Sequence, residues 1–321
     1  MSDPNPPEPS MSLQHLARQK GKIRLDQYLV ESGLCQSKAQ AQGMIIARQV
    51  RLEGKVQDKP GSQYALQRLE DAKEKGGIEI EQPLAYVSRG GLKLEKALDT
   101  FNVNPQGRIC LDVGASTGGF TDCLLQRGAS KVYAIDVGHG QLDWKLRQDE
   151  RVISLEKTNI KTLSPERCPE LYQDPISLCV MDISFISIKK ALPVILEIFE
   201  ASLSRLQQPP TLISLIKPQF EYKDYCSAPG FDGVVREPDH HLAVLSGLLK
   251  DIDARYPDLK LLDLSFSPVT GPKGNIEFLL LATYKPDALS AGQPGPTESL
   301  KDLAGLVQKA HQYLIHAAPR A

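Results

Sequence analysis

Residues 111–120 read LDVGASTGGF: an apolar stretch holding an acid, three glycines set among small residues, then an apolar run from Phe120 to Leu125. A strand that hands over to a helix through so many glycines can bring its backbone close to a ligand and take φ values that other residues avoid. This turn commits its part of the chain to an α/β nucleotide-binding unit. Its GxxxGG spacing, on Gly114, Gly118 and Gly119, is neither the GxGxxG of dinucleotide enzymes nor a phosphate-binding loop, which needs Lys followed by Ser or Thr. No phosphate grip is implied. A second acid, Asp136, closes the next apolar run, KVYAIDV, 24 residues after Asp112, where a carboxylate can reach ribose hydroxyls. S-adenosylmethionine is the common cofactor that fits, because it carries a ribose without a phosphate and its cationic sulfonium suits an acidic pocket.

Further apolar runs follow at 131–137, 152–156, 176–182, 211–217, 259–266 and 276–284, after a first at 108–113. Helical patterns such as ISIKKALPVILEIFEASL and DHHLAVLSGLLKDI separate most of them. Seven strands alternating with helices predict a doubly wound, Rossmann-like α/β fold with a mostly parallel sheet. The last two runs are joined only by SPVTGPKGN, too short for a helical crossover, so the final strand should be antiparallel to its predecessor. Methyltransferase sheets end on such a hairpin.

With 321 residues and 41% hydrophobic content, the chain can hold one large domain and one small one. It contains no run of 18 apolar residues, and the first twenty residues lack the apolar centre of a signal peptide, so a soluble, cytoplasmic protein with no membrane partner is expected. The oligomeric state is unread, with a monomer as the default. The six cysteines form no CxxC pair and read as reduced, mostly buried side chains. The histidines show no metal-binding spacing; His240 and His241 read as a surface pair at a helix start, and His139 as a lining of the adenosine pocket.

The net charge of -1 hides an asymmetry. Residues 11–60 carry nine Lys or Arg against four acids, which suggests that a polyanion meets this end of the chain. Residues 1–21, with four prolines in the first ten, are expected to be a disordered tail. Over 22–81 we expect a small α+β domain: IRLDQYL as one helix, SKAQAQGMIIARQ as a second with Ala39, Ile45 and Ile46 inward, and VRLEGKV as strand and turn at Glu53-Gly54. The charged stretch from Gln63 reads as strand-poor until GIEIEQ. A linker at 82–87, a catalytic domain at 88–285 and a Pro/Gly linker with a C-terminal helix at 286–321 complete the layout. Leu300, Leu303, Leu306, Val307, Ala310 and Leu314 would line that helix's packed side.

In such sheets ligands sit beyond the carboxyl ends of the parallel strands. Asp182 ends the fourth run and Lys217 the fifth, while the reversed seventh strand brings its first residues, Asn275 and Glu277, to the same edge. Lys93, in the GGLK segment just before the first helix of the domain, can also reach that edge if that helix packs across it. Methyl transfer to a hydroxyl needs a base for the departing proton, and a lysine serves only where burial and a second cation disfavour its charge. Lys217 fits that role with Lys93 as the second cation; Asp182 and Glu277 would hold both ammonium groups, and Asp182 would also favour the sulfonium. Taken singly, each residue is better read as a structural ion pair, surface lysine or strand cap; the gathering of four at one edge favours the chemical role.

These segments resemble a known family. RLDQYLVESGLCQSKAQAQGMIIARQVRLEGKVQDKP resembles the S4 RNA-binding domain, although Gln49, Leu52 and Glu53 depart from its usual turn. SRGGLKL, LDVGASTGGFTDCLL, EKTNI, MDISFIS, IKPQFE, GVVREP and GPKGNIEFLL in that order resemble the TlyA family, an S4 domain joined to an FtsJ-like ribosomal RNA methyltransferase. The resemblance implies 2'-O-methylation of cytidine ribose in ribosomal RNA or ribosomal subunits, with Lys93, Asp182, Lys217 and Glu277 as the catalytic set. It implies cofactor contacts at Asp112, Gly114, Ala115, Ser116, Gly118, Gly119, Asp136, Asn159 and Asp182. The S4 likeness implies RNA contacts at Lys38, Arg48, Arg51 and Lys55. Members of the family have also been called haemolysins, so a membrane-active protein stays open at this point, as does a non-catalytic S4-type RNA-binding protein.

Overall fold

The structure, a computed structural model, describes residues 21–80, 85–226, 230–285 and 298–317, with 315–317 described by backbone alone. The expected tail before Gly21, linker residues 82–84 and the Pro/Gly stretch 286–296 lie outside the described residues. The chain divides into two compact units between Pro83 and Leu84.

The first unit runs β1 (Lys22–Arg24), α1 (Leu25–Glu31), α2 (Lys38–Ile46), β2 (Val50–Leu52), β3 (Lys55–Gln57), β4 (Gln63–Ala65), α3 (Leu66–Glu74) and β5 (Ile78–Ile80). Strand β2 is central, antiparallel to both β3 and β5, and β1 pairs with β4. The β2–β3 turn forms at Glu53-Gly54, both with positive φ (+51° and +75°), the left-handed pair a two-residue hairpin requires. Ser37 opens α2 by accepting a hydrogen bond from the Gln40 amide. The inward stripe of α2 differs from expectation. Ala41, Met44 and Ile45, at i, i+3 and i+4, are buried, whereas Ala39 faces solvent and Ile46 is 66% exposed. The stretch after Gln63 also holds more structure than its charge suggests, because only Leu69 and Ala72 of α3 need to enter the core.

The second unit contains α4 (Gly90–Phe101), β6 (Ile109–Val113), α5 (Gly119–Gln126), β7 (Lys131–Ile135), α6 (Trp144–Arg147), β8 (Val152–Leu155), α7 (Pro169–Gln173), β9 (Ile176–Met181), α8 (Leu192–Leu203), β10 (Thr211–Ile216), α9 (Pro218–Tyr225), α10 (Pro238–Arg255), β11 (Leu259–Phe266), β12 (Phe278–Tyr284), α11 (Glu298–Lys301) and α12 (Leu303–Ala317). All seven expected strands form one sheet in the order β11-β12-β10-β9-β6-β7-β8. Strand β12 is antiparallel to β10 and β11, and the pairs from β10 through β8 are parallel. One face packs Leu94 and Leu98 of α4 and Phe120 and Leu124 of α5; the other packs Ile195, Phe199, Leu245, Leu248 and Leu306. Burying each such side chain contributes roughly 1.5–3 kcal/mol.

Helix α12 packs on this unit through Leu306, Val307, Ala310 and Leu314, as its periodicity predicts. His241 corrects the surface reading of the histidine pair. It belongs to the inward stripe of α10 with Val244, Leu245 and Leu248, is fully buried, and lies 3.1 Å from His311 of α12. Burial, aided by His311, pushes its imidazole down to about 4. All six cysteines are free; Cys35, Cys110, Cys123 and Cys179 are buried.

Candidate active site

The parallel strands β6, β7, β9 and β10 end at Val113, Ile135, Met181 and Ile216, and β12 begins at Phe278. Gly114, Asp136, Asp182, Lys217 and Glu277 therefore meet at one edge of the sheet. Gly114 takes φ +88°, and a Cβ there would stand 2.5 Å from the Asp182 carbonyl oxygen. Only glycine lets the β6 turn and the β9 loop approach so closely.

Two adjoining cavities open along this edge. The smaller, about 380 Å³, is lined by Arg89, Lys93, Asp182, Ser184 and Lys217, with Gly114, Ala115, Ser116 and Gly119 of the glycine turn. The larger, about 500 Å³, is lined by Asp136, Gly138, Gln141, Asn159 and Phe185, and shares Gly114, Ser116, Asp182 and Ser184 with the first.

The four residues of the expected catalytic set form two ion pairs. Lys217 Nζ lies 2.7 Å from Asp182 Oδ1, and Lys93 Nζ 2.6 Å from Glu277 Oε2. Both lysines are more than nine-tenths buried and Glu277 is fully so. Burial pushes the Glu277 carboxyl up, against the pull of Lys93. Asn275, at the same edge, is a structural pin: its Oδ1 accepts from the Val235 amide, and its Nδ2 donates to the Gly233 and Pro272 carbonyls.

The glycine turn is shaped by Asp136, whose oxygens accept the amides of Ser116 (2.8 Å) and Gly138 (2.6 Å). Asn159 caps a short turn through the Lys161 amide and lines the larger cavity. Two residues of the expected cofactor set stand behind the cavities. Asp112 is fully buried, accepts a 2.6 Å hydrogen bond from Thr121, and is pushed up to about 7 by burial. Gly118, with φ +94°, opens α5 and packs against Leu142 and Leu146. His139 corrects its expected place: it is 67% exposed beside Glu156 and does not line the larger cavity. Glu156 organises its loop instead, accepting from the amides of Gly140, Gln141 and Leu142 and from Arg147.

Two further site residues lie within MDISFIS but are given no role by the sequence. Ser184 Oγ accepts a 2.7 Å hydrogen bond from Lys217, and its position two residues beyond Asp182 is the one hint the sequence offers. Phe185 is 87% exposed with φ +69°, its ring 5.3 Å from that of Phe220. Positive φ at an exposed aromatic cannot be read from composition.

In the first unit, Lys38 begins α2, Arg48 follows it with φ +61°, and both are exposed, as is Lys55. Arg51 is half-buried on β2. The register pairs Arg51 with Val56 and Lys55 with Leu52, which puts Arg51 and Lys55 on opposite faces of the hairpin.

A nucleoside-sized cavity at the switch edge of this sheet, beside a glycine turn and paired lysines and acids, is the arrangement of an α/β methyltransferase. Residues 86–284 match the FtsJ-like methyltransferase family and residues 23–65 the S4 domain. The chain belongs to the FtsJ-like methyltransferase family, in its TlyA branch. It is 40% identical over 275 residues to the 16S/23S rRNA (cytidine-2'-O)-methyltransferase TlyA of Mycobacterium tuberculosis, covering 84% of this chain and 93% of the relative. It is 42% identical to Hemolysin A of Brachyspira hyodysenteriae, covering 80% and 98%. A solved structure of a candidate hemolysin from Streptococcus thermophilus superposes with TM-score 0.63 at 34% identity, covering 92% of this chain and 98% of that one.

Proposed function

We propose that the protein methylates the 2'-hydroxyl of a cytidine ribose in ribosomal RNA, using S-adenosylmethionine. The observation that carries this reading is the pairing of Lys217 with Asp182 and Lys93 with Glu277 at one cleft beside the glycine turn. A buried amine within reach of an incoming hydroxyl is what O-methylation requires.

The residues present fit the cofactor. The larger cavity offers Asp136, whose oxygens keep lone pairs for ribose hydroxyls, and Asn159; Gly114, Ala115, Ser116 and Gly119 supply the close backbone, with Asp112 and Gly118 supporting from behind. Asp182 sets a negative charge where the two cavities meet. When bound, the cofactor supplies an electrophilic methyl group on a cationic sulfur. Lys217 Nζ, as the amine, takes the 2'-hydroxyl proton while the oxygen attacks, with the Lys93–Glu277 pair at the same edge. Asp182 and Glu277 hold the two amines in place.

Exposed Lys38, Arg48 and Lys55, with Arg51, would engage the phosphate backbone of the RNA through the S4 unit. The relatives named for ribosomal RNA modification support that partner and a cytoplasmic location. Among the described residues no helix is long and apolar enough to cross a membrane. The test is to incubate the protein with unmodified ribosomal subunits and S-adenosylmethionine and map ribose methylation in both RNAs. Methylation at cytidine 2'-oxygens supports the reading; methyl groups on bases, or none, overturn it.

A further inference from the structure

Asp182 lies 2.7 Å from Lys217 Nζ, yet its Oδ1 makes no hydrogen bond there. The one hydrogen bond described for Lys217 Nζ goes to Ser184 Oγ at 2.7 Å. Charge and direction thus come from different residues. We propose that Ser184 is the positioning residue that aims the amine of Lys217 at the acceptor hydroxyl. This rests on the reading of Lys217 as the base.

The argument is stereochemical. A lysine amine turns freely about its Cε–Nζ bond, and an ion pair, being weakly directional, does not stop it. A hydrogen bond does. With one N–H committed to Ser184, the rotation is pinned and the nitrogen lone pair is confined to the directions left, which is the pre-organisation a proton-accepting group needs. The proton then passes from the acceptor oxygen to Nζ as the new O–C bond forms and the S–C bond breaks, its electron pair staying on sulfur. Ser184 keeps its own proton throughout.

Ser184 is itself held. Its loop is joined to α9 at successive points: Ser184 with Lys217, the ring of Phe185 with that of Phe220, and the Ile188 amide with the buried Glu221 carboxylate at 2.8 Å. Ser184 lines both cavities but is exposed and fills no core, so replacing it leaves the fold intact.

The test compares Ser184→Thr with Ser184→Val in the full-length protein, two side chains of one shape that differ in the hydroxyl. Rates are measured on unmodified ribosomal subunits with S-adenosylmethionine, and binding of S-adenosylhomocysteine by calorimetry. The expected result is that Ser184→Val lowers kcat roughly tenfold, the worth of one hydrogen bond in the transition state, while KM and S-adenosylhomocysteine affinity stay within about twofold. Ser184→Thr keeps most of the rate. Equal rates for the two variants, or a fall in cofactor affinity that matches the fall in rate, overturn the proposal. Lys217→Ala runs alongside: if it is inactive while Ser184→Val is fully active, only the role of Ser184 fails. If Lys217→Ala is itself active, the reading of the base fails and the proposal with it.

Discussion

Lys93 Nζ stands 2.6 Å from Glu277 Oε2 and joins the first helix of the methyltransferase unit to the start of its last strand, across 184 positions of sequence. The pair is almost wholly withdrawn from water, so its two members depend on each other for charge compensation.

Lys93→Ala would leave Glu277 buried without its cation, at a cost of about 3–5 kcal/mol while the carboxylate stays ionised. Burial already pushes Glu277 up, so its folded carboxyl holds a proton more tightly than the unfolded chain does. The loss is therefore greater at pH 8 than in acid low enough to protonate the carboxyl, where protonation relieves it. Urea unfolding at the two pH values measures this. A double substitution, Lys93→Met with Glu277→Leu, should recover stability but not methyl transfer.

Asp112 is pushed up to about 7, against about 4 for an ordinary aspartate. A raised carboxyl favours the folded state at low pH, and that advantage is lost as pH climbs from about 4 to about 7, by an amount on the order of 3–4 kcal/mol. Asp112→Asn keeps a partner for Thr121 and removes the titration. Its stability curve should be flatter over this range and lie above that of the parent at pH 8; parallel curves would contradict the assignment.

Gly114→Ala would combine a strained positive φ with a Cβ 2.5 Å from the Asp182 carbonyl oxygen. The expected effect is a destabilisation of roughly 1–2 kcal/mol from strain and a weakening of S-adenosylhomocysteine binding by at least about tenfold. Calorimetry on the purified variant gives both the melting point and the affinity.

Neutralising Arg48 and Lys55 should weaken RNA binding and make it less sensitive to salt, the slope falling by about one for each phosphate no longer neutralised. Filter binding from about 50 to about 200 mM salt reads the slope. An unchanged slope would remove both residues from the RNA surface.

Much of this architecture is legible because strand and helix periods differ. All seven strands, the antiparallel end and the convergence of Asp182, Lys217 and Glu277 follow from apolar runs and loop lengths. Harder to read are places where few residues carry the packing: α3 buries only Leu69 and Ala72, and the inward stripe of α2 passes through Ala41 and Met44 rather than Ala39 and Ile46. His241 reads as a surface residue because a polar side chain gives no sign of burial until its helix face is known. Asp112 and Asp136 look alike in sequence, but Asp112 lies inside β6, opposite Ala134, and is buried, whereas Asp136 stands one residue past the end of β7, at the cavity. Ser184 sits inside MDISFIS, but its role is not legible there, since it is defined by a hydrogen bond with Lys217, 33 positions away.

The central claim is that Lys217 performs proton transfer and does not merely hold the site together. The most direct measurement is single-turnover methylation of unmodified ribosomal subunits by Lys217→Ala, with S-adenosylhomocysteine and RNA affinities determined on the same preparation. The account predicts a rate lower by at least about a hundredfold, within the usual worth of a general base, with both affinities within about threefold of the parent. Methylation at the parent rate with binding intact would contradict it.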